Sequence, residues 1–263
     1  MIHKTAIIDP KADLGVNVTV GPFSYIEGEV RIGNGCVIGP HVNILRYTSI
    51  GDNCEIHSGA VIGDVPQDIG FEKGESYVRI GSNCIIREGV TIHRGSKTGT
   101  ATEIGNACFL MAFSHCGHNV KLGSGVIVAN GALLAGYVEV GEQAFISGNV
   151  IIHQFVRIGR LAMLGGGCGI SKDVPPFCTS KPCSPNEILT LNVVGMRRVG
   201  MSADERSQIK KAFSILYRSG LNVKDAVGKI RESFSLSPAL EFCSFIDESE
   251  RGIAMCKYQL MRS

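Results

Sequence analysis

Three of the seven histidines, His115, His118 and His153, carry the side chains best suited to chemistry in this chain. Imidazole titrates near neutral pH, so a positioned histidine can take the proton of a hydroxyl as that oxygen attacks. A glycine beside it can offer its backbone N–H to a developing oxyanion. His118, Gly136 and Gln154 form such a set at a regular interval of 18 residues, with Tyr137 and His153 one position off the same line. The set becomes a site only if the chain stacks residues at that interval on top of one another.

The hydrophobic pattern provides that stacking. Counting in sixes from Ile2 to Ile170 gives 29 positions, of which 25 are Ile, Leu or Val, the exceptions being Asp68, Gly74, Thr98 and Cys116. Neither an amphipathic helix nor a half-buried strand has a period of six, so the unit must repeat in space. A triangular coil of 18 residues, one hexad per side, satisfies it. The first residue of each hexad points inward, a small or β-branched fifth residue fills a tighter inward position, and intervening Gly, Asn and Asp tolerate the corners. Stacked coils bury together what none buries alone. Rungs about 4.8 Å apart put His118 and His153 roughly 9 to 10 Å from each other along one edge. Neither occupies an inward position, so both are free to face a groove.

The same repeat accounts for most of the ten cysteines. Cys36, Cys54, Cys84, Cys108 and Cys168 take the small fifth position and Cys116 a first position, which reads as core filler. No C-x-x-C occurs, and the thiols are expected to be reduced, with no metal and a cytoplasmic location. Abundant glycine and absent tryptophan suit a narrow aliphatic prism. No apolar run is long enough to span a membrane, and the repeat begins at Ile2, so neither a targeting segment nor a separate N-terminal domain is expected.

Two stretches, about 63–79 and 95–103, interrupt the pattern without losing its phase and are expected to protrude from corners, where a flat solenoid can acquire a concave site. The repeat ends near Pro175-Pro176 and a Cys-, Ser-, Pro- and Asn-rich linker runs to about Pro185, which divides the chain into 1–184 and a helical 185–263. Ser202-Ala203-Asp204-Glu205 is a capping box, followed by an apolar face of Ile209, Ala212, Phe213, Leu216 and Tyr217 that stops at Gly220. A second helix is expected over 223–234 and a third from Pro238, with Leu240, Cys243, Phe245 and Ile246 inward. Residues 176–263 carry 13 Lys plus Arg against 9 Asp plus Glu, whereas residues 1–175 carry 13 against 15. The basic end could attract an acidic partner; without a dense basic stripe or interleaved aromatics, nucleic acid is not an expected partner.

The strings Val90-Thr91-Ile92-His93-Arg94-Gly95, Ser114-His115-Cys116-Gly117-His118-Asn119, Asn130 to Gly136, His153-Gln154-Phe155, Asp173-Val174-Pro175-Pro176 and Tyr217-Arg218-Ser219-Gly220 span the chain. Together they resemble the bacterial UDP-N-acetylglucosamine 3-O-acyltransferases, members of the hexapeptide-repeat acyltransferases. The resemblance implies a left-handed parallel β-helix with a small C-terminal α-helical domain. It also implies transfer of an acyl chain from acyl carrier protein to the 3-hydroxyl of UDP-N-acetylglucosamine, the first step of lipid A synthesis. By residue, it implies His118 as general base and Gly136 as oxyanion donor. His115, His153 and Gln154 would position substrate, Asp68 would contact the sugar, and Asn192 and Arg198 the nucleotide. Gly166 would limit the acyl pocket, with room for a long chain. The partners implied are the carrier protein and two further copies in a homotrimer, with no cofactor.

Departures from the family pattern fall beside these residues. Asn119 replaces an Asp next to the base, Tyr137 replaces a histidine, Gly70 stands near an expected lysine for which Lys73 could substitute, and Val194 replaces an acidic nucleotide contact. They leave open a 3-amino acceptor sugar. The sister glucosamine N-acyltransferase carries an N-terminal uridine-binding domain, which does not match a repeat that starts at Ile2. A metalloenzyme of the gamma carbonic anhydrase type orders its histidines differently, and a non-catalytic scaffold would have no use for His118.

Overall fold

The computed structural model describes residues 1–71, 73–235 and 237–256. The hexads become short strands, most of two residues, laid in rotation on three sheets. Face one has nine strands from Ile7–Ile8 to Gly169–Ile170, and face two has eight from Asp13–Leu14 to Arg157–Ile158. Face three starts at Thr19–Val20 and has 11 strands, the last three of which lie beyond the repeat. Pairing is parallel between residues 18 apart, as in Ile7 with Tyr25 and His115 with Leu133. The architecture is a left-handed parallel β-helix with a small C-terminal helical region.

The first residue of each hexad points inward as expected. Down face one, Ile26, Ile44, Ile62, Ile92, Cys116, Leu134 and Ile152 stack with 0% exposure. Full burial of an aliphatic side chain contributes about 1.5–3 kcal/mol, and the column repeats that gain rung by rung. The corners turn at the fourth position, which adopts positive φ whether it holds Asn119 (60°), Tyr137 (60°), Phe155 (64°) or Phe113 (57°). Bulky residues tolerate this backbone because rung-to-rung bonds hold it: Tyr137 N–H donates to the His118 carbonyl at 2.9 Å and Phe155 N–H to that of Gly136 at 3.2 Å.

Both interruptions are inserted whole hexads, which is why the phase survives. Val61 pairs with Thr91 across two extra hexads, and Thr91 with His115 across one. Asp68, Gly74 and Thr98 are the first positions of those hexads, so three of the four pattern exceptions mark the loops. The loops run over 65–76 and 94–100.

The expected linker is in part ordered sheet. Cys178–Ser180 continues face three, with Thr179 opposite Met163; Glu187–Leu191 runs antiparallel to it, and Met255–Cys256 pairs with that strand in turn. Helix α1, Val193–Arg198, is too short to show a periodic apolar face. Helix α2, Ala203–Arg218, has the capping box and buries the five expected side chains. Helix α3 is Val223–Ser233 and α4 Ser237–Asp247. In α4, Cys243, Phe245 and Ile246 are buried, but Ala239 and Phe242 take the innermost line and Leu240 is only half-buried. The cause is Phe177 of the last rung, whose ring meets that of Phe242 at 5.8 Å. Among the described residues, no helix is long and apolar enough to cross a membrane.

Candidate active site

The corner from face one to face two lines up third-position residues of successive rungs: Arg94, His118, Gly136 and Gln154. His118 is only 8% exposed. Its ring lies against Gly136, where an added Cβ would come within 2.5 Å of His118 Nε2 and 2.4 Å of Cε1. Only glycine permits that contact. The Gly136 N–H makes no hydrogen bond to another described residue, so an imidazole and a free donor adjoin on neighbouring rungs.

Below His118, His115 stands with Nδ1 2.7 Å from Thr91 Oγ1, and its ring meets that of His93 edge-on at 5.2 Å. Burial, aided by His93 and His118, pushes the His115 imidazolium down to about 4. His93 is also held below its ordinary value, first by burial, with the Val65 backbone and Asp64 acting the other way. Its Nδ1 and the Arg94 Nε are buried without partners among the described residues. In the sequence His93 and Arg94 carry no signal beyond the motif that contains them; the buried polar pair they form under the first loop arises from the fold. Arg94 lies 5.5 Å from the Tyr47 ring and 5.6 Å from that of Phe71 in that loop.

Beside His118, Nδ1 lies 3.1 Å from Asn119 Oδ1. Asn119 N–H donates to Thr102 Oγ1 at 2.8 Å, and the Tyr137 ring meets the His118 ring edge-on at 5.2 Å while stacking on Phe155 at 4.8 Å. His153 and Gln154 lie exposed one rung above Gly136, His153 Nδ1 being 3.2 Å from the Gln154 carbonyl. His115, His118, Gly136, His153 and Gln154 are thus brought to one edge as the spacing required.

Four expected residues are not brought to it within one chain. Asp68 is exposed on the first loop, where its carboxylate accepts the Gly70 N–H at 2.9 Å. Asn192 caps α1 by accepting the Gly195 N–H at 2.9 Å and donates Nδ2 to the Leu161 carbonyl at 2.8 Å. Arg198 is exposed in the last turn of the same helix. Gly166 sits at the corner from face three to face one, the opposite edge of face one from His118.

The coil and a histidine-glycine corner define a hexapeptide-repeat transferase. Models of the bacterial transferase hexapeptide (six repeats) match residues 12–46, 29–64 and 101–136, and that of Udp N-acetylglucosamine O-acyltransferase, Domain 2, matches 173–254. Among relatives, the acyl-[acyl-carrier-protein]–UDP-N-acetylglucosamine O-acyltransferase of Thermodesulfovibrio yellowstonii is 44% identical, with 96% of this chain and 98% of the relative covered. That of Campylobacter concisus is 36% identical over 97% and 98%. Solved UDP-N-acetylglucosamine acyltransferases superpose closely: from Bacteroides fragilis with a TM-score of 0.91 at 41% identity, covering 96% of this chain and 99% of that one, and from Campylobacter jejuni with 0.92 at 37%, covering 98% and 100%. The chain belongs to the acyl-[acyl-carrier-protein]–UDP-N-acetylglucosamine O-acyltransferase family.

Proposed function

We propose that this protein transfers a long fatty acyl group from the thioester of acyl carrier protein to the 3-hydroxyl of UDP-N-acetylglucosamine, the first step of lipid A synthesis. The observation that carries the mechanism is the His118 ring held against Gly136, beside an unengaged N–H. His118 Nε2 takes the hydroxyl proton as the oxygen attacks the thioester carbonyl, and the Gly136 N–H donates to the oxyanion. Collapse expels the thiolate, which takes the proton back from His118. Those two groups supply the chemistry without a cofactor.

His115, His153 and Gln154 position the sugar, and Asp68 contacts it from the first loop. Arg198 meets the nucleotide phosphates through its planar guanidinium, while Asn192 holds the helix that presents it. Gly166 sets acyl length: an added Cβ there would meet only Gly148 O at 3.4 Å and Ser147 Cβ at 3.7 Å, so packing within the chain does not demand a glycine. Because Gly166 and His118 lie on opposite edges of face one, the acyl groove is completed by a neighbouring copy in a homotrimer. The carrier protein docks at the basic end, where Arg197, Arg206, Lys210 and Arg218 line a cavity of about 380 Å³. Nine buried, unpaired cysteines suit a cytoplasmic enzyme.

A mass-spectrometric assay with UDP-N-acetylglucosamine and carrier proteins loaded with chains of several lengths tests this reading. Wild type is expected to give a 3-O-acyl product, with the rate reduced about 10²–10⁴-fold in His118→Ala. An unchanged rate in that variant would remove His118 from the mechanism.

A further inference from the structure

The second loop reaches up to the base on the next rung. Ser96, 7% exposed, makes three polar contacts there. Its N–H donates to Asn119 Oδ1 at 2.9 Å, its Oγ lies 3.0 Å from the same oxygen, and that Oγ is 2.9 Å from the Tyr137 hydroxyl. Asn119 Oδ1 is in turn 3.1 Å from His118 Nδ1.

The direction of every bond follows from the one group with no choice. A backbone N–H only donates, so the Asn119 atom facing it is the carbonyl oxygen rather than the amide nitrogen. That oxygen only accepts, so His118 Nδ1 carries the ring proton and Nε2 is left with its lone pair. Ser96 has one hydroxyl proton, which goes to Asn119 Oδ1, and Tyr137 therefore donates to Ser96. The loop is built to hold this placement: a Cβ on Gly95 would lie 2.4 Å from Thr100 Oγ1, so the neck closes tightly, and Lys97 N–H donates to the same Oγ1 at 3.2 Å. A rung without the inserted hexad has no residue in the position of Ser96.

We propose that Ser96 is a positioning residue that acts through Asn119 to fix His118 in the tautomer with Nε2 unprotonated, with Tyr137 completing the chain. The proposal rests on His118 being the base. It makes the second loop part of the catalytic corner rather than a solvated insertion.

Nitrogen-15 spectra of the full-length, histidine-labelled protein above neutral pH read the tautomer directly, with His118→Gln to assign the resonances. Wild type is expected to show the Nδ1–H form at His118, and Ser96→Pro, which removes the orienting N–H together with the hydroxyl, a mixture of the two forms. The same Ser96→Pro variant is expected to lose roughly tenfold in kcat with KM little changed. Ser96→Thr, which keeps both donors, is expected to match wild type in both readouts. A wild-type Nε2–H form, or a Ser96→Pro protein with an unaltered tautomer and kcat, would overturn the proposal. If His118→Ala stays active while the tautomer behaves as expected, the assignment of the base fails and the positioning by Ser96 stands.

Discussion

His115 shows how a residue's chemistry depends on neighbours that its own segment does not supply. It is neutral over most of the working range because it is buried, with His93 from the rung below and His118 nearby adding repulsion to any proton it takes up. In the unfolded chain it titrates at about 6.5. Between that value and about 4, the unfolded state binds the extra proton and the folded state does not. Stability therefore rises with pH across this window and is lost as pH falls through it, by up to about 3 kcal/mol. His93 acts in the same direction. The urea midpoint is expected to fall between pH 6.5 and 4, and His115→Gln to flatten that fall; equal slopes would show that His115 takes up its proton without cost.

At the scale of an element, the corner from face two to face three carries four thiols on consecutive rungs. Cys36, Cys54, Cys84 and Cys108 donate through Sγ to the carbonyls of Gly51, Gly81, Gly105 and Gly123 at 3.1, 3.2, 3.1 and 3.2 Å. The fifth position takes small or β-branched residues, valine at Val18 and Val126 on either side of this run, and here the sulfur fills it while meeting the next rung's carbonyl. These thiols are enclosed, and burial alone pushes Cys116 up to about 12. Of ten cysteines only Cys183 is exposed. A thiol reagent is expected to label one cysteine per folded chain quickly and the other nine only on unfolding, as counted by mass. Rapid labelling of several would mean that the coil opens along this edge.

For the molecule as a whole, the outward rows of the three faces differ in kind. Face two presents Asp13, Arg31, Ser49, Arg79, Glu103, Lys121, Glu139 and Arg157, with ion pairs Arg79–Glu103 at 3.0 Å and Lys121–Glu139 at 2.9 Å. Such pairs leave it comfortable in water and contribute little to stability. Face one instead exposes Ile7 (65%), Leu133 (41%) and Ile151 (57%), with Phe113 (70%) at its edge. Leu133 and Ile151, paired on adjacent rungs of this face, form an apolar patch that fits contact with another copy. Ile151→Glu is expected to convert the proposed trimer to monomer by light scattering and to abolish transfer. A trimeric Ile151→Glu protein would place the subunit contact elsewhere.

The sequence by itself determined the coil, the edge on which His115, His118, Gly136, His153 and Gln154 meet, and the inner face of α2. Each rests on a fixed interval, either a hexad stacked every third side or a helical turn, and a regular interval converts directly into position. Even the loops were legible, because Asp68, Gly74 and Thr98 break the count where hexads are inserted. Only the tertiary structure decided the rest. The rotation of α4 depends on Phe177 in the last rung, the depression of His115 on His93, and the orientation of His118 on Ser96 reaching across from an inserted hexad. These contacts join segments whose separation follows no period, so their partners become visible only when the chain is folded.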